Sequence, residues 1–152
     1  MATATFTKAN RWILHALTGT VDTDADTFRI ALSNTAPAAE TSNPLLDANG
    51  LLANVTQIAY TNYADTLAVD RVLEGVANTV ASGVFKFDCN DFTISATGGT
   101  LAGFRYLYVY DDTSTAPVDP IIGVWDYGST LTLNDGDSAP ITIHANGLFT
   151  IT

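Results

Sequence analysis

The apolar positions of this chain fall into short runs, most of them with period two, separated by polar clusters rich in turn-forming residues. One segment carries the helical period instead. In TKANRWILHALTG, Ala9, Trp12, Ile13, Ala16 and Leu17 recur at i, i+3, i+4, i+7 and i+8, which is a single apolar stripe. The spacing predicts an N-terminal helix over residues 7–18, with Thr7 as its N-cap and Gly19 as its stop. Asn10 stands where a capping box needs Glu or Gln. So short a helix must dock to persist, and Trp12 is the predicted anchor.

The rest reads as strands and turns. TFRIALS (Thr27 to Ser33) sets Phe28, Ile30 and Leu32 against Arg29, Ala31 and Ser33. A long loop with Pro37, Pro44 and Gly50 follows, with a helical turn expected near Leu45 to Asn49. LANVTQIAY fits either a short helix or an irregular connection. TLAVDRVLEGVAN (Thr66 to Asn78) has strand character, with Leu67, Val69 and Arg71 on one side. Strands are predicted at Val84 to Phe87, at Phe92 to Ser95, and around Leu131, Leu133, Ile141, Ile143, Leu148 and Ile151. Asp135 and Asp137 flank Gly136 in a predicted hairpin turn. Many short strands with frequent turns predict an all-β fold. The expected form is one domain over residues 1–152, an antiparallel β-sandwich or jelly-roll-like barrel with a short N-terminal helix.

One stretch departs from simple alternation. GFRYLYVYDDTSTAPVDPIIGVWDYG places Phe104, Tyr106, Tyr108 and Tyr110 on one face of a strand and Arg105, Leu107 and Val109 on the other. A second run carries Trp125 and Tyr127. A strand with large side chains on both faces is covered on both faces. The Tyr side is then either core or a subunit interface, since tyrosine suits a contact that is apolar in body and wet at its tip. Trp12, Phe104, Tyr106, Tyr108, Tyr110, Trp125 and Tyr127 are therefore the candidate interface residues.

Composition narrows the partners. Charged residues make up 14% of the chain and the formal net charge is -10, which disfavours nucleic-acid backbones and anionic membranes. No stretch approaches the roughly 20 apolar residues that span a bilayer. The N-terminus lacks the order of a signal peptide, and the single Cys89 excludes an intrachain disulfide. Folding in a cytoplasm is the expectation.

No nucleophile elbow, Walker loop or dinucleotide fingerprint is present. His15 and His144 are the only imidazoles and suggest no triad or zinc site. Asp22, Asp24 and Asp26 share the start of a calcium loop, but Thr27 and Ser33 occupy the places of its Gly and Glu. An acidic loop leading into a strand is expected there. Asp111, Asp112, Asp119 and Asp126 are read as a solvated acidic surround, not a glycosidase pair. Cys89 is read as a buried, inert thiol. No catalytic, cofactor-binding or metal-ligating residue is assigned, and the protein is expected not to be an enzyme.

FRIALSNTAP, LANVTQIAY and GGTLAGFRYLYVYDDTSTAPVDPIIGVWDYGSTLTLNDGDSAPITI resemble small virion structural proteins of tailed bacteriophages, some of which are similar to capsid cement or decoration proteins. FRYLYVYDD and IIGVWDYG are the most distinctive pieces. The resemblance implies a non-enzymatic protein, folded in the bacterial host cytoplasm and placed on the virion capsid surface. Its implied partners are a major capsid protein and neighbouring copies of itself, as a dimer or trimer. The loop from Asn34 to Asn54 and the N-terminal helix would contact neighbours. Alternative readings are a tail, baseplate or head–tail joining component, or a carbohydrate-binding module of a receptor-binding protein.

Overall fold

The computed structural model describes residues 4–37, 50–64 and 71–152. In chain order the strands are β1 (Thr5–Lys8), β2 (Phe28–Ser33), β3 (Tyr63–Ala64), β4 (Ala77–Ala81), β5 (Val84–Asp88), β6 (Phe92–Ala96), β7 (Leu101–Asp111), β8 (Ile121–Leu133), β9 (Ser138–Ile141) and β10 (Phe149–Ile151). Among the described residues one α-helix, α1 (Arg11–Leu17), lies between β1 and β2, and a 3-10 turn spans Leu52–Asn54. Every strand pairing is antiparallel. The fold is the expected all-β, sandwich-like class.

A four-stranded sheet in the order β1-β8-β7-β2 forms one layer. Two three-stranded sheets, β10-β5-β4 and β3-β6-β9, complete the fold. The main core draws on all three sheets. It takes Phe28, Ile30 and Leu32 from β2, Phe87 from β5, Phe92 and Ile94 from β6, Leu107 and Val109 from β7, and Ile122 and Trp125 from β8. The positions alternate along β2, β6 and the Leu107–Val109 part of β7, as a pleated surface requires, whereas Ile122 and Trp125 of β8 are separated by three because the β7–β8 register shifts beside Val109. Phe28 meets Phe87 edge-on at 5.2 Å, which locks β2 against the facing sheet.

β7 is not one uninterrupted ladder. Its register with β8 shifts between Leu101 and Phe104, and again between Phe104 and Tyr106. Such irregularities re-aim the side chains beyond them. Phe104 therefore joins Leu107 and Val109 in the main core, while Tyr106, Tyr108 and Tyr110 point the other way. This corrects the expectation of four aromatics on one face, which assumed unbroken period two.

The helix is shorter than the apolar stripe implied. Thr7 lies within β1, not at a helix cap, because Thr5–Lys8 pairs with Gly123–Asp126 of β8. Sheet hydrogen bonds over four residues outweigh a weak local helical preference. Asn10 occupies the N-cap position without a side-chain capping bond. Trp12 anchors the helix as expected, 4.6 Å edge-on from Phe149. The buried side chains are Arg11, Trp12 and His15, whereas Leu17 is exposed. The stripe was thus rotated from its expected centre. Gly19, at φ +72°, supplies the left-handed residue that ends the helix.

Other expectations resolve unevenly. LANVTQIAY opens as the 3-10 turn and continues irregularly, bridging Ser33 to Gln57. Within the Thr66–Asn78 prediction, the described part from Arg71 is not continuous strand, since Arg71 and Gly75 have positive φ and β4 starts at Ala77. Ile143 and Leu148 join the core without lying in strands. The Asp135-Gly136-Asp137 turn is present, with Gly136 at φ +84° and Asp137 accepting from the Asn134 N–H. The helical turn near Leu45 and the positions of Leu67 and Val69 lie outside the described residues.

β1 reaches β8 only because position 123 has no side chain. A Cβ at Gly123 would stand 2.4 Å from the Phe6 ring and 2.7 Å from the Thr7 carbonyl oxygen. Gly123→Ala is expected to destabilise the fold by about 1–3 kcal/mol by forcing β1 away. Urea denaturation measures this, and an unchanged midpoint would contradict the β1–β8 pairing.

Candidate interaction surface

The seven aromatic residues singled out from sequence converge on the four-stranded sheet and the helix beside it. Trp12 is 2% exposed, Phe104 1%, Tyr106 6%, Tyr108 3%, Tyr110 4% and Trp125 7%. Tyr127 is half-buried. Six of the seven are thus interior residues of a single chain. They do not form an open patch for a ligand or a neighbour.

Their burial comes from two sides. Trp12, Phe104 and Trp125 belong to the main core. Tyr106, Tyr108 and Tyr110 form a second apolar cluster on the sheet's other face, with Ala31 from β2, Ile121 and Val124 from β8, and Leu52. Strand pairing sets this layer: Tyr108 stands between Ala31 and Val124, and the small alanine leaves room for the phenol beside it. Leu52 and Val55 cover the cluster. The covering segment is fastened by the Leu52 N–H to the Asp119 carbonyl at 3.0 Å, by Ser33 Oγ to the Thr56 carbonyl at 2.6 Å, and by a bridge between Leu51 and Pro120.

One phenol tip has a backbone partner at the rim. Tyr108 Oη donates to the Thr35 carbonyl at 2.8 Å. Burial, with Tyr106 and Asp126 nearby, pushes its pKa up to about 12. Burial also raises Tyr110, with Asp112 adding to the effect and Arg71 and Arg29 opposing it. Neither phenol is disposed to ionise near neutral pH. They serve as packing and hydrogen-bonding groups, not as acids or bases.

Beside Tyr106, Arg105 makes a two-pronged ion pair with Asp126, at 2.7 and 2.9 Å. The hydrogen bond from Arg105 holds the Asp126 carboxyl below its ordinary range. The pair is exposed, so its contribution to stability is small. Arg29 pairs with Asp112 at 2.7 Å on the other edge. Arg71 lies 3.7 Å over the Tyr60 ring, whose hydroxyl accepts the Leu32 N–H and donates to Gln57. Cations therefore brace the sheet's margins.

Concave surface occurs elsewhere. A cleft of about 460 Å³ is lined by Phe6, Trp125, Ile143, Leu148 and Phe149, with Thr142, His144, Asn146 and Thr150 among its polar groups. Its rings already engage one another: Phe6 meets Trp125 edge-on at 4.7 Å and stacks on Phe149 at 6.2 Å. His144 Nδ1 accepts the Asn146 N–H. His15 is buried in α1, and burial followed by the Arg11 charge lowers its pKa, favouring the neutral form. Cys89 is buried, its thiol pushed up to about 12 by burial and by Asp88 and Asp91. These are the surroundings of an unreactive thiol.

The acidic positions separate into different environments. Asp24 donates its N–H to Asp22, and Asp22 donates its N–H to Asp26, so these carboxylates shape their own loop. Among the described residues no three His, Cys, Asp or Glu side chains converge as metal ligands. Asp111 corrects the expectation of a solvated surround, since it is fully buried. Its place at the end of β7, opposite Phe28, carries it inside.

Exposed large apolar side chains include Leu17 on α1, Val80 on β4 and Val118 in the β7–β8 connection. Leu17 and Val80 are the most open, at 81% and 73%. Leu17 was expected in the docked apolar stripe and is exposed instead, whereas Val80 was not singled out from the sequence, because one apolar residue in a short element carries no periodic signal. No described helix is long and apolar enough to cross a membrane. The chain matches no family model, no curated protein and no solved structure.

If the tyrosine layer is internal, its hydroxyl bond contributes to folding. Tyr108→Phe is expected to lower stability by about 1 kcal/mol, because the Thr35 carbonyl loses its donor. Urea denaturation of this variant beside Tyr106→Phe provides the check, with the smaller loss expected for Tyr106→Phe.

Proposed function

We propose that this protein is a non-enzymatic structural component of a tailed-phage virion, acting as a cement protein on the assembled capsid. The observation that supports this reading is where the resemblance falls. Its most distinctive segments, FRYLYVYDD and IIGVWDYG, become the paired central strands β7 and β8. These segments thus belong to scaffold, and their chemistry is packing. A rigid sandwich with a low-charge surface suits repeated docking on a lattice.

The mechanism is linkage. A protein that binds the assembled, expanded shell better than free subunits stabilises that shell by its differential affinity. Many copies multiply modest individual contacts. Because the tyrosine layer is occupied by the chain itself, the contacts fall to outward residues. Leu17 on α1 and Val80 on the edge strand β4 are the best placed apolar ones.

The purified protein is expected to bind expanded capsids in stoichiometric amounts and to raise their resistance to heat. Leu17→Asp and Val80→Asp should leave folding unchanged and weaken that binding at least tenfold if both side chains lie in the contact. Sedimentation with capsids and imaging of virions measure both. A few copies per particle, located on the tail, would overturn the cement role in favour of a tail or joining component. Glycan binding without capsid affinity would instead support a carbohydrate-binding module.

A further inference from the structure

We propose that Asp111 keeps a proton that it donates to Asp26, forming an acid-closed clasp between the Asp22–Asp26 loop and the end of β7. The side chain of Asp111 is wholly buried. Its Oδ1 accepts the N–H groups of Thr113 and Ser114, at 2.8 and 3.3 Å. Its Oδ2 is buried and has no N–H donor. The group that meets Asp111 is the carboxyl of Asp26, in hydrogen-bonding contact. Two carboxylates in such contact do not both remain ionised without a large repulsion, so a proton between them is the simplest satisfied state.

The surrounding charges reinforce this reading. Asp22 and Asp24 lie in the same loop as Asp26. Asp112 follows on the chain and is engaged by Arg29 of β2. Asp119, across the β7–β8 connection, lies near the same Asp112 and Arg29 charges. On α1, the His15 carbonyl accepts the N–H groups of Thr20 and Val21, which lead into the loop. Tyr110, the preceding residue of β7, belongs to the tyrosine layer and is neutral near pH 7. Among the described residues, the charge that acts on Asp111 is the negative one of Asp26.

The clasp has something to hold. The loop is otherwise tied by single bonds: the Thr27 N–H to Thr113 Oγ1 at 2.8 Å, the Asp112 N–H to the Thr27 carbonyl at 2.9 Å, and Asn78 Nδ2 to Thr23 and Asp24. These bonds join the loop to the β7–β8 connection and to edge strand β4. Loss of this proton places repulsion at the centre of that junction and loosens the loop.

The sign follows from linkage. Burial and Asp26 raise the Asp111 carboxyl from 3.8 to about 6. Between those values the closed form binds a proton that the open form lacks, so opening becomes more favourable as pH rises. The opening constant should rise about tenfold per pH unit across this window and level off above it, a total on the order of 100-fold. This is the reverse of an ion-paired carboxylate, whose stabilising effect appears as pH rises.

Hydrogen exchange of the 22–27 segment between pH 4 and 7.5, corrected for intrinsic exchange, reads the opening directly. The wild-type segment should lose protection across pH 4–6 and then plateau. Asp111→Asn keeps the acceptor for Thr113 and Ser114 and should flatten the profile. Asp26→Asn, at a partly exposed position, should reduce the slope without abolishing it, because the burial that raises Asp111 remains, and serves if the Asp111 variant does not fold. A wild-type profile already flat, or variants that retain the full slope, overturns the clasp. Calcium added at pH 7.5 that restores protection to wild type but not to Asp26→Asn would also overturn it, showing that a cation takes the proton's place.

Discussion

The antiparallel pairing of β7 with β8, buried on both faces, is the constraint on which the rest of this structure depends. The two strands occupy the middle of the four-stranded sheet, so each is hydrogen-bonded along both edges. Their inner faces supply much of the main core, and their outer faces carry the tyrosine layer. A sheet that is wet on one side needs only one apolar face. This one needs two, and the second must be covered by chain drawn from elsewhere. Leu52 and Val55 provide that cover, and Thr35 provides the acceptor for Tyr108.

The same pairing explains the placement of the N-terminal segment and the tolerance for irregularity in β7. β1 joins the sheet through close approach at Gly123, which brings Phe6 against Trp125 and leaves α1 to begin after it. The register shifts near Phe104 turn one aromatic inward while its neighbours stay outward. Both features place bulk where the core needs it. Neither adds a reactive group, and Tyr108 and Cys89 both have raised pKa values that favour their neutral forms. The carboxylates supply the chemical contrast. Asp126 is exposed and engaged by Arg105, so it stays ionised more readily, while Asp111 is buried against another acid and holds its proton more tightly.

The residues that looked like a recognition surface maintain the fold instead, which moves attention to side chains at the margins. Leu17 ends a helix and Val80 lies in an edge strand, positions where an apolar group can meet a neighbour without disturbing the core. Edge strand β4 carries no charged residue, and charge is one of the usual means of discouraging pairing with another chain.

The sequence by itself determined the all-β class, most strand positions, the turn at Gly136 and the anchoring role of Trp12, because these follow from local periodicity, turn chemistry and residue size. It also left the right question at Tyr106, Tyr108 and Tyr110, whose bulk signalled a covered face but not the cover. Only the tertiary structure decided that the cover belongs to the same chain, that Thr7 extends a strand instead of capping a helix, that Phe104 turns inward, and that Asp111 is buried beside Asp26. Each of these depends on residues distant in sequence: Leu52 over Tyr108, Gly123 beside Phe6, Leu131 opposite Phe104, and Asp26 against Asp111. Periodicity reports which side of a strand is apolar, but long-range pairing fixes register and partner, and those contacts decide burial.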